Sequence, residues 1–255
     1  MRQVFLNAPW VHDAEPPQLK AIFEQHGVLR KFPKGFIFNH GGTQGNVYFI
    51  TKGLVFFTFP DPKDKFRVFG ILPPDRVVGD LDAVTQFSIN VFATSARPTE
   101  CLVVPGRVYR AALEADPELM KLYAINAVAK EETHMEGMMA VFTLPAEKRL
   151  IALASFVINS YYPLKADGWN PMPLQLTTFE IADITSSNRS TVSTIINQLK
   201  AQNVQIYDID IERNRSGEQL HPSSIFSIRL NEKIPHTQLL SELAGLDCLC
   251  AIEEL

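Results

Sequence analysis

Residues 174–199, LQLTTFEIADITSSNRSTVSTIINQL, contain two short helical patterns joined by the polar turn 185–187. Thr177 is followed three residues later by Glu180, the capping-box arrangement that satisfies free amide groups at a helix start. The apolar side chains of this first helix predicted to face inward are Phe179, Ile181, Ala182 and Ile184. The segment therefore predicts a pair of helices separated by a tight turn.

The second helix of this pair has an apolar back and a polar front. The back repeats at three- and four-residue spacing through Val192, Ile195, Ile196 and Leu199. Arginine can make two hydrogen bonds to guanine, and serine, threonine and asparagine reach phosphates or base edges, so the front suits a DNA major groove. The residues predicted to contact DNA are Thr177, Ser187, Asn188, Arg189, Ser190, Thr191, Ser193, Thr194 and Asn197. Two ordinary packed helices are the alternative.

Charge and the following residues extend this pattern. Residues 184–207 contain Arg189 and Lys200 but no Asp or Glu, although the chain has a formal net charge of -4. Residues 204–210 and 224–230 are strand-like and flank a charged turn, so they predict a hairpin wing. At its tip, Arg213 and Arg215 are candidates for minor-groove or phosphate contacts. A solvated loop is the alternative there, because Asp208, Asp210, Glu212 and Glu218 lie close by.

Residues 28–104 alternate apolar and polar residues in short runs separated by glycine turns, which is typical of an all-β unit. The clearest runs are 35–38, 47–50, 53–57, 67–72 and 91–96. Residues 61–64, Asp-Pro-Lys-Asp, have the composition of a hairpin tip. Short strands at this spacing predict a sandwich, barrel or roll.

A helical pattern follows at 107–142 and is interrupted only at Asp116-Pro117, where the proline suits the first turn of a long helix. Val128, Met135 and Phe142 recur every seven residues and predict the seam of a two-stranded coiled coil. A helix that packs on its own domain is the alternative. Leu144-Pro145 predicts the helix end, and residues 146–162 predict a further apolar helix.

Composition limits the class of protein. The 255 residues are 46% apolar and 20% charged, which is the balance of a globular chain. No stretch approaches the roughly 20 apolar residues that a membrane helix needs, and residues 1–17 carry charges where a secretory signal would be apolar. We therefore expect a cytoplasmic protein with no membrane partner.

Cys101, Cys248 and Cys250 are too few for a disulfide framework or a four-thiolate iron-sulfur site, and a redox role for the last two stays open.

In chain order, the predicted β unit, long helix, helix pair and hairpin resemble the bacterial regulators of the cyclic-AMP receptor and fumarate-nitrate regulator (CRP/FNR) family. The resemblance covers about residues 20–230. The first half is similar at 34–38 (KGFIF), 40–41 (HG), 47–50 (VYFI) and 52–55 (KGLV). The second half is similar at 177–199, where Arg189-Ser190-Thr191-Val192 stands in place of a frequent Arg-Glu-Thr-Val.

The resemblance implies an α+β fold with a cyclic-nucleotide-binding-type, jelly-roll-like β-roll, a long dimerisation helix and a C-terminal winged helix-turn-helix. The predicted divisions are an N-terminal helical segment with the β-roll (1–106), the long helix (107–144), the winged helix-turn-helix (145–232) and a C-terminal helical extension (233–255). It also implies a homodimer along the 107–142 helix that binds a two-fold-symmetric DNA site and acts in transcription regulation. RNA polymerase is a further partner that it suggests.

Two departures from the family limit what can be transferred. Gly79-Asp80-Leu81 matches the start of a cyclic-phosphate-binding stretch, but Asn90-Val91-Phe92 lacks the later arginine, and burying an anion without a cation is costly. We therefore predict that cyclic AMP is not the effector. Ser190 and Thr194 replace a frequent glutamate and arginine, so the base preference should differ, with Arg189 reading a base.

An unknown small-molecule effector is expected between the roll and the long helix. The residues predicted to form its pocket are Gly79, Asp80, Leu81, Phe92, Tyr123 and Asn126, with a simple apolar core as the alternative.

We expect no catalysis, metal or cofactor. The histidines His12, His26, His40, His134, His221 and His236 are scattered, and no metalloenzyme, nucleophile or phosphate-loop motif occurs. The alternative to a DNA-binding regulator is a module that binds a protein partner, with degenerate sensor and DNA-binding domains.

Overall fold

The computed structural model describes residues 8–38, 45–60, 66–87, 91–163, 170–201, 209–210 and 225–226. The chain divides into two compact units, Met1–Ile195 and Ile196–Leu255. The first elements are α1 (Pro17–His26), β1 (Val28–Phe32), β2 (Asn46–Lys52), β3 (Val55–Pro60), β4 (Phe66–Leu72), β5 (Val77–Val78), α2 (Asp80–Thr85), β6 (Phe92–Ser95) and β7 (Thr99–Pro105). They are followed by α3 (Gly106–Ala115), α4 (Pro117–Thr143), α5 (Ala146–Asn159), α6 (Thr178–Ile184), α7 (Arg189–Ala201), β8 (Ile209–Asp210) and β9 (Ile225–Phe226).

The strands of the first unit form two antiparallel sheets, called the sheet pair below. One sheet has the strand order β1-β7-β2-β5 and the other β4-β3-β6. The chain is thus a mixed α and β fold with antiparallel sheets, as the strand pattern predicted. The predicted hairpin tip at 61–64 lies outside the described residues.

Alternation along the strands explains how the sheets are filled. Tyr48 and Ile50 of β2 join a buried cluster with Cys101 and Val103 of β7, whereas Val47 and Phe49 join a second cluster with α1 and α3. Successive side chains of a strand point to opposite faces, so β2 is buried on both sides. Burial raises the pKa of the Cys101 thiol to about 12, which makes this cysteine a packing residue.

Two predicted strands differ from the structure at their glycines. Residues 35–38 do not form a strand, because Gly35 adopts a left-handed turn and only Ile37 makes an isolated bridge, to Thr94. The strand predicted at 53–57 begins instead at Val55. Gly53 has a φ of 104°, and a Cβ there would approach the Pro98 carbonyl oxygen to 2.6 Å, so it forms a tight turn.

The helical region predicted at 107–142 consists of two helices, divided at the interruption that the sequence predicted at Asp116-Pro117. Asp116 separates α3 from α4, and its side chain accepts hydrogen bonds from the backbone amides of Glu118 and Leu119. This N-cap begins the 27-residue α4, which ends before Leu144 as predicted. The predicted helix at 146–162 is α5.

The two faces of α4 are unlike those of an ordinary amphipathic helix. Its buried face, directed at the sheet pair and the N-terminal segment, contains the polar residues Asn126, Lys130, Thr133 and Glu136. Its exposed face carries a stripe of large apolar residues, called the α4 stripe below: Ile125, Val128, Met135, Met138, Met139 and Phe142. The heptad residues predicted as a seam therefore lie on the exposed surface.

Within the described residues, no helix is long and apolar enough to cross a membrane. In the second unit, β8 and β9 pair antiparallel through Ile209 with Phe226 and Asp210 with Ile225. These pairs fall within the strands predicted for the wing. Arg213, Arg215, the C-terminal extension, Cys248 and Cys250 lie outside the described residues.

Candidate nucleic-acid interface

Helix α6 begins at a capping box, as predicted. The Glu180 amide donates to Thr177 Oγ1 at 3.2 Å, and the Thr177 amide donates to Glu180 Oε2 at 2.8 Å. The two bonds satisfy free backbone donors at the helix start and fix its first turn. Thr177 itself is exposed.

An arginine of the sheet pair binds the same glutamate. The Arg97 guanidinium donates to Glu180 Oε1 at 2.6 Å and Oε2 at 2.9 Å, and to the Gln175 carbonyl at 2.7 Å. Burial alone would raise the pKa of Glu180, but hydrogen bonds from Arg97 and the Thr177 backbone outweigh burial and lower it. This bidentate pair, called the Arg97 clip below, holds the start of α6 against the sheet pair.

A second contact and an apolar cluster complete the attachment of α6. The Val68 amide of β4 donates to Asp183 Oδ2 at 3.3 Å, and Arg67 Nη1 lies 3.7 Å from Asp183 Oδ1. Ile184 is buried with Leu153 and Val157 of α5 and with sheet-pair residues such as Leu54 and Phe56. Polar contacts and apolar packing together fix the orientation of α6 in the first unit.

One residue predicted to face inward from α6 does not. Ala182 and Ile184 are buried and Ile181 packs against them, but the Phe179 side chain is 67% exposed. The inward positions next to it are taken by Glu180 and Asp183, which bind the sheet pair. The prediction for Phe179 was therefore wrong, because ion pairing decides which face of α6 is buried.

The turn between α6 and α7 is held by its own hydroxyl groups. Thr185 Oγ1 donates to the Ile181 carbonyl at 2.7 Å, and Ser186 has a φ of 48°, which reverses the chain. Arg149 of α5 donates to Ser187 Oγ at 3.2 Å. Ser187, predicted to contact DNA, is thus half-buried and engaged within the protein.

Helix α7 presents the polar front that the sequence predicted. Val192 and Ile195 are buried behind it. The residues of the front are exposed: Asn188, Arg189, Ser190, Thr191, Ser193, Thr194 and Asn197. Arg189, at the first position of the helix, makes no ion pair with any described residue. The surface therefore offers a guanidinium and several hydroxyl and amide groups to a partner.

Two residues of the predicted effector pocket, Asp80 and Asn126, belong to a buried ion-pair network. Lys130 Nζ of α4 lies 2.7 Å from Asp80 Oδ2 and 3.2 Å from Glu15 Oε2. Asn126 Nδ2 donates to Glu15 Oε1 at 2.9 Å. Burial opposes the charge of Lys130, but Asp80 and Glu15 outweigh burial and raise its pKa. Asp80 and Asn126 therefore share a network, which we call the Lys130 network.

The other predicted pocket residues lie in α4, at or within α2, and in the second sheet. Tyr123 is buried and packs edge-on to Tyr109. Burial and the nearby charges of Asp80 and Glu15 raise the pKa of its hydroxyl. Gly79 is the left-handed residue before α2, and Leu81 is half-buried in α2. Phe92 belongs to the other sheet, where it pairs with Thr58 of β3.

An N-terminal strap, residues 10–15, is the feature that the sequence pattern did not reveal. It lies between α4 and the sheet pair: a Cβ on Gly137 of α4 would meet Trp10 at 3.0 Å, and Glu15 joins Lys130. The Ile71 amide of β4 donates to the Trp10 carbonyl at 2.6 Å. His12 Nε2 and His134 Nε2 are 2.7 Å apart, so two of the scattered histidines meet.

No group of three or more His, Cys, Asp or Glu residues suited to a metal ion occurs in the described part of the chain. No signal in the sequence marked the His12–His134 contact, because its partners are far apart in the chain. Lys130 offered a weak signal, as a charged residue one helical turn after Asn126 and between apolar positions of α4.

Several solved structures share this architecture. TTHA1359 of Thermus thermophilus, a transcriptional regulator of the CRP/FNR family, is 20% identical with a TM-score of 0.51, covering 69% of this chain and 87% of its own. The c-di-GMP-responsive global regulator CLP of Xanthomonas campestris is 14% identical, with a TM-score of 0.56 and coverage of 78% and 96%. FixK2 of Bradyrhizobium japonicum is 19% identical, with a TM-score of 0.55 and coverage of 74% and 90%.

The chain therefore has the fold of CRP/FNR-family regulators, as the resemblance predicted. No protein-family model and no curated protein sequence matches it.

Proposed function

We propose that this protein is a sequence-specific, DNA-binding transcription regulator that acts as a homodimer. The observation that carries the proposal is the exposed polar front of α7, which begins at Arg189 and lies over buried Val192 and Ile195. A helix that enters a major groove needs an apolar attachment behind and hydrogen-bonding groups in front. In this proposal α6 and α7 form the helix-turn-helix, and β8 and β9 belong to its wing.

The α4 stripe supports the homodimer. Val128 and Phe142 are 59% and 81% exposed, and both lie in the predicted heptad seam. A contiguous apolar stripe on a helix that is polar on its buried side fits a surface covered by another helix. A second copy of α4 would place two α7 helices on one DNA duplex and require a two-fold-symmetric operator.

In this proposal, successive parts of the chain have different roles. The sheet pair with the N-terminal strap is the sensor, α4 is the dimerisation helix, and the residues from α5 onward bind DNA. The Lys130 network supports the prediction that cyclic AMP is not the effector. Asp80, in the stretch that resembles the family's phosphate-binding sequence, already pairs with the cation that α4 supplies.

The direct experiment is to select genomic DNA fragments with the purified protein and then measure binding to the enriched sequence. Arg189→Ala should weaken specific binding by about 1 to 3 kcal/mol, the contribution of a bidentate contact to guanine. Arg107→Ala is the matched control, because Arg107 is an exposed arginine of α3 away from α7. Arg107→Ala should leave specific binding and its salt dependence close to those of the wild type, because only charges that contact phosphates release counterions.

An Arg189→Ala protein that keeps wild-type affinity and base preference would contradict the proposed role of α7. If the wild-type protein enriches no sequence at all, the DNA-binding proposal fails and a protein-partner module becomes the better explanation. RNA polymerase as a further partner is tested by transcription from a promoter that carries the enriched site.

A further inference from the structure

A second feature of the sheet pair, separate from the Lys130 network, has the properties of a ligand site. A cavity of about 480 Å³ opens at the end of β1, β2 and β7, where α1 and α3 meet these strands. Its volume lies in the range of about 300 to 1,000 Å³ that is usual for small-molecule sites. No residue of α4 lines it, so it is distinct from the effector pocket predicted between the roll and the long helix.

The walls of this cavity are mostly apolar. Val28, Phe32, Val103, Pro105 and Val108 line it. The Phe32 ring stands edge-on to the Tyr48 ring, with centroids 5.8 Å apart, and both belong to an aromatic group that fills the space between the sheets. The cavity thus continues the apolar interior of the sheet pair outward and suits a hydrocarbon or aromatic body.

The polar groups of the cavity favour a negative charge. Arg30, His26, Asn46 and Tyr48 line it, and among the residues that the structure describes no acidic side chain does. Arg30 is opposite Cys101 in the β1–β7 register, and its guanidinium makes no hydrogen bond or ion pair with any described residue. Its neighbour Lys31 differs, because it points to the other face of β1 and lies 3.3 Å from Glu100.

We infer that this cavity binds an amphipathic organic anion, a carboxylate on an apolar body. The guanidinium of Arg30 would donate two hydrogen bonds to the carboxylate, with the Asn46 amide and the Tyr48 hydroxyl as neutral donors. The apolar body would lie along Phe32 and Val103. This binding requires neither DNA nor a second copy of the chain.

Octanoate is the probe, titrated into the full-length protein by isothermal calorimetry, with 1-octanol as its uncharged counterpart. One octanoate should bind per chain, and 1-octanol should bind more weakly. Arg30→Gln should weaken octanoate binding about tenfold or more, as expected for loss of a charge-assisted hydrogen bond, and should change octanol binding little. Lys31→Gln is the matched control, and it should change octanoate binding less than about twofold because its charge lies on the opposite face.

A cavity-filling variant tests the location independently of charge. Val108→Trp should abolish binding of both probes while thermal unfolding confirms that the protein is folded. The inference is overturned if octanoate shows no saturable binding at millimolar concentrations. It is also overturned if octanol binds as tightly as octanoate, or if Arg30→Gln and Lys31→Gln weaken octanoate equally.

Discussion

At the residue scale, the contact between His12 and His134 has the clearest consequence for stability. His12 is buried in the strap, against Phe57 on one side and the His134 ring on the other. Burial, His134, Lys130 and Arg76 together hold the pKa of His12 well below its usual value of about 6.5. His134 also contacts Glu131, and this hydrogen bond lowers the pKa of the Glu131 carboxyl.

The folded protein therefore binds a proton at His12 less readily than the unfolded chain does. The free energy of unfolding should fall as the pH is lowered from about 6.5, with a slope of up to about 1.4 kcal/mol per pH unit from this group. Urea unfolding between pH 7 and pH 5 measures the slope. His12→Gln should flatten the curve, whatever its effect on absolute stability.

His26→Gln serves as the control, because His26 is an exposed histidine of α1. The free energy of unfolding of the His26→Gln protein should depend on pH as that of the wild type does. An unchanged slope in His12→Gln would show that the acid sensitivity arises elsewhere.

At the scale of elements, the Arg97 clip joins a loop of the sheet pair to the first turn of α6. Arg97→Met keeps the aliphatic stem and removes the donors, so it should lower the free energy of unfolding by about 1 to 3 kcal/mol. Glu180→Gln should act in the same direction, and the two effects should not add, because each removes the same interaction. Chemical denaturation of the single and double variants measures the coupling.

Lys121→Met gives the comparison for an exposed ion pair. Lys121 and Glu118 of α4 are 3.8 Å apart and well exposed, so the change should cost less than about 0.5 kcal/mol. Equal losses for Arg97→Met and Lys121→Met would mean that the clip contributes no more than a surface pair.

The elements show how far the sequence could predict this structure. The capping box of Thr177 and Glu180 and the buried back of α7 depend on local spacing, and both are confirmed. The burial of Phe179 depends on which groups the sheet pair offers to α6, and that prediction was wrong. The buried face of α4 could not be predicted from apolar periodicity, because Lys130 is stabilised by Glu15 and Asp80 from distant parts of the chain.

At the scale of the whole molecule, the α4 stripe should determine the oligomeric state. Val128→Asp places a carboxylate in the predicted seam, where a partner helix would have to bury it, so the proposed dimer should dissociate at micromolar concentration. Sedimentation velocity distinguishes the two masses. Affinity for a two-fold-symmetric operator should fall with the loss of the dimer.

Phe87→Asp is the matched change outside the stripe, because Phe87 is also a well-exposed apolar residue and follows α2. It should leave the sedimentation coefficient unchanged. A wild-type protein that is monomeric at all concentrations would contradict the homodimer while leaving the α7 proposal to its own test.

The N-terminal strap also affects how the chain folds. His12 and His134 are 122 residues apart in sequence, and the strap lies directly against α4. During synthesis the ribosome releases the strap and the sheet pair before α4, so Trp10 and Glu15 can pair with β4 and Asp75 while the side that α4 covers is still exposed. Contacts between residues so far apart in sequence slow folding, so the docking of α4 onto the strap should be a late step.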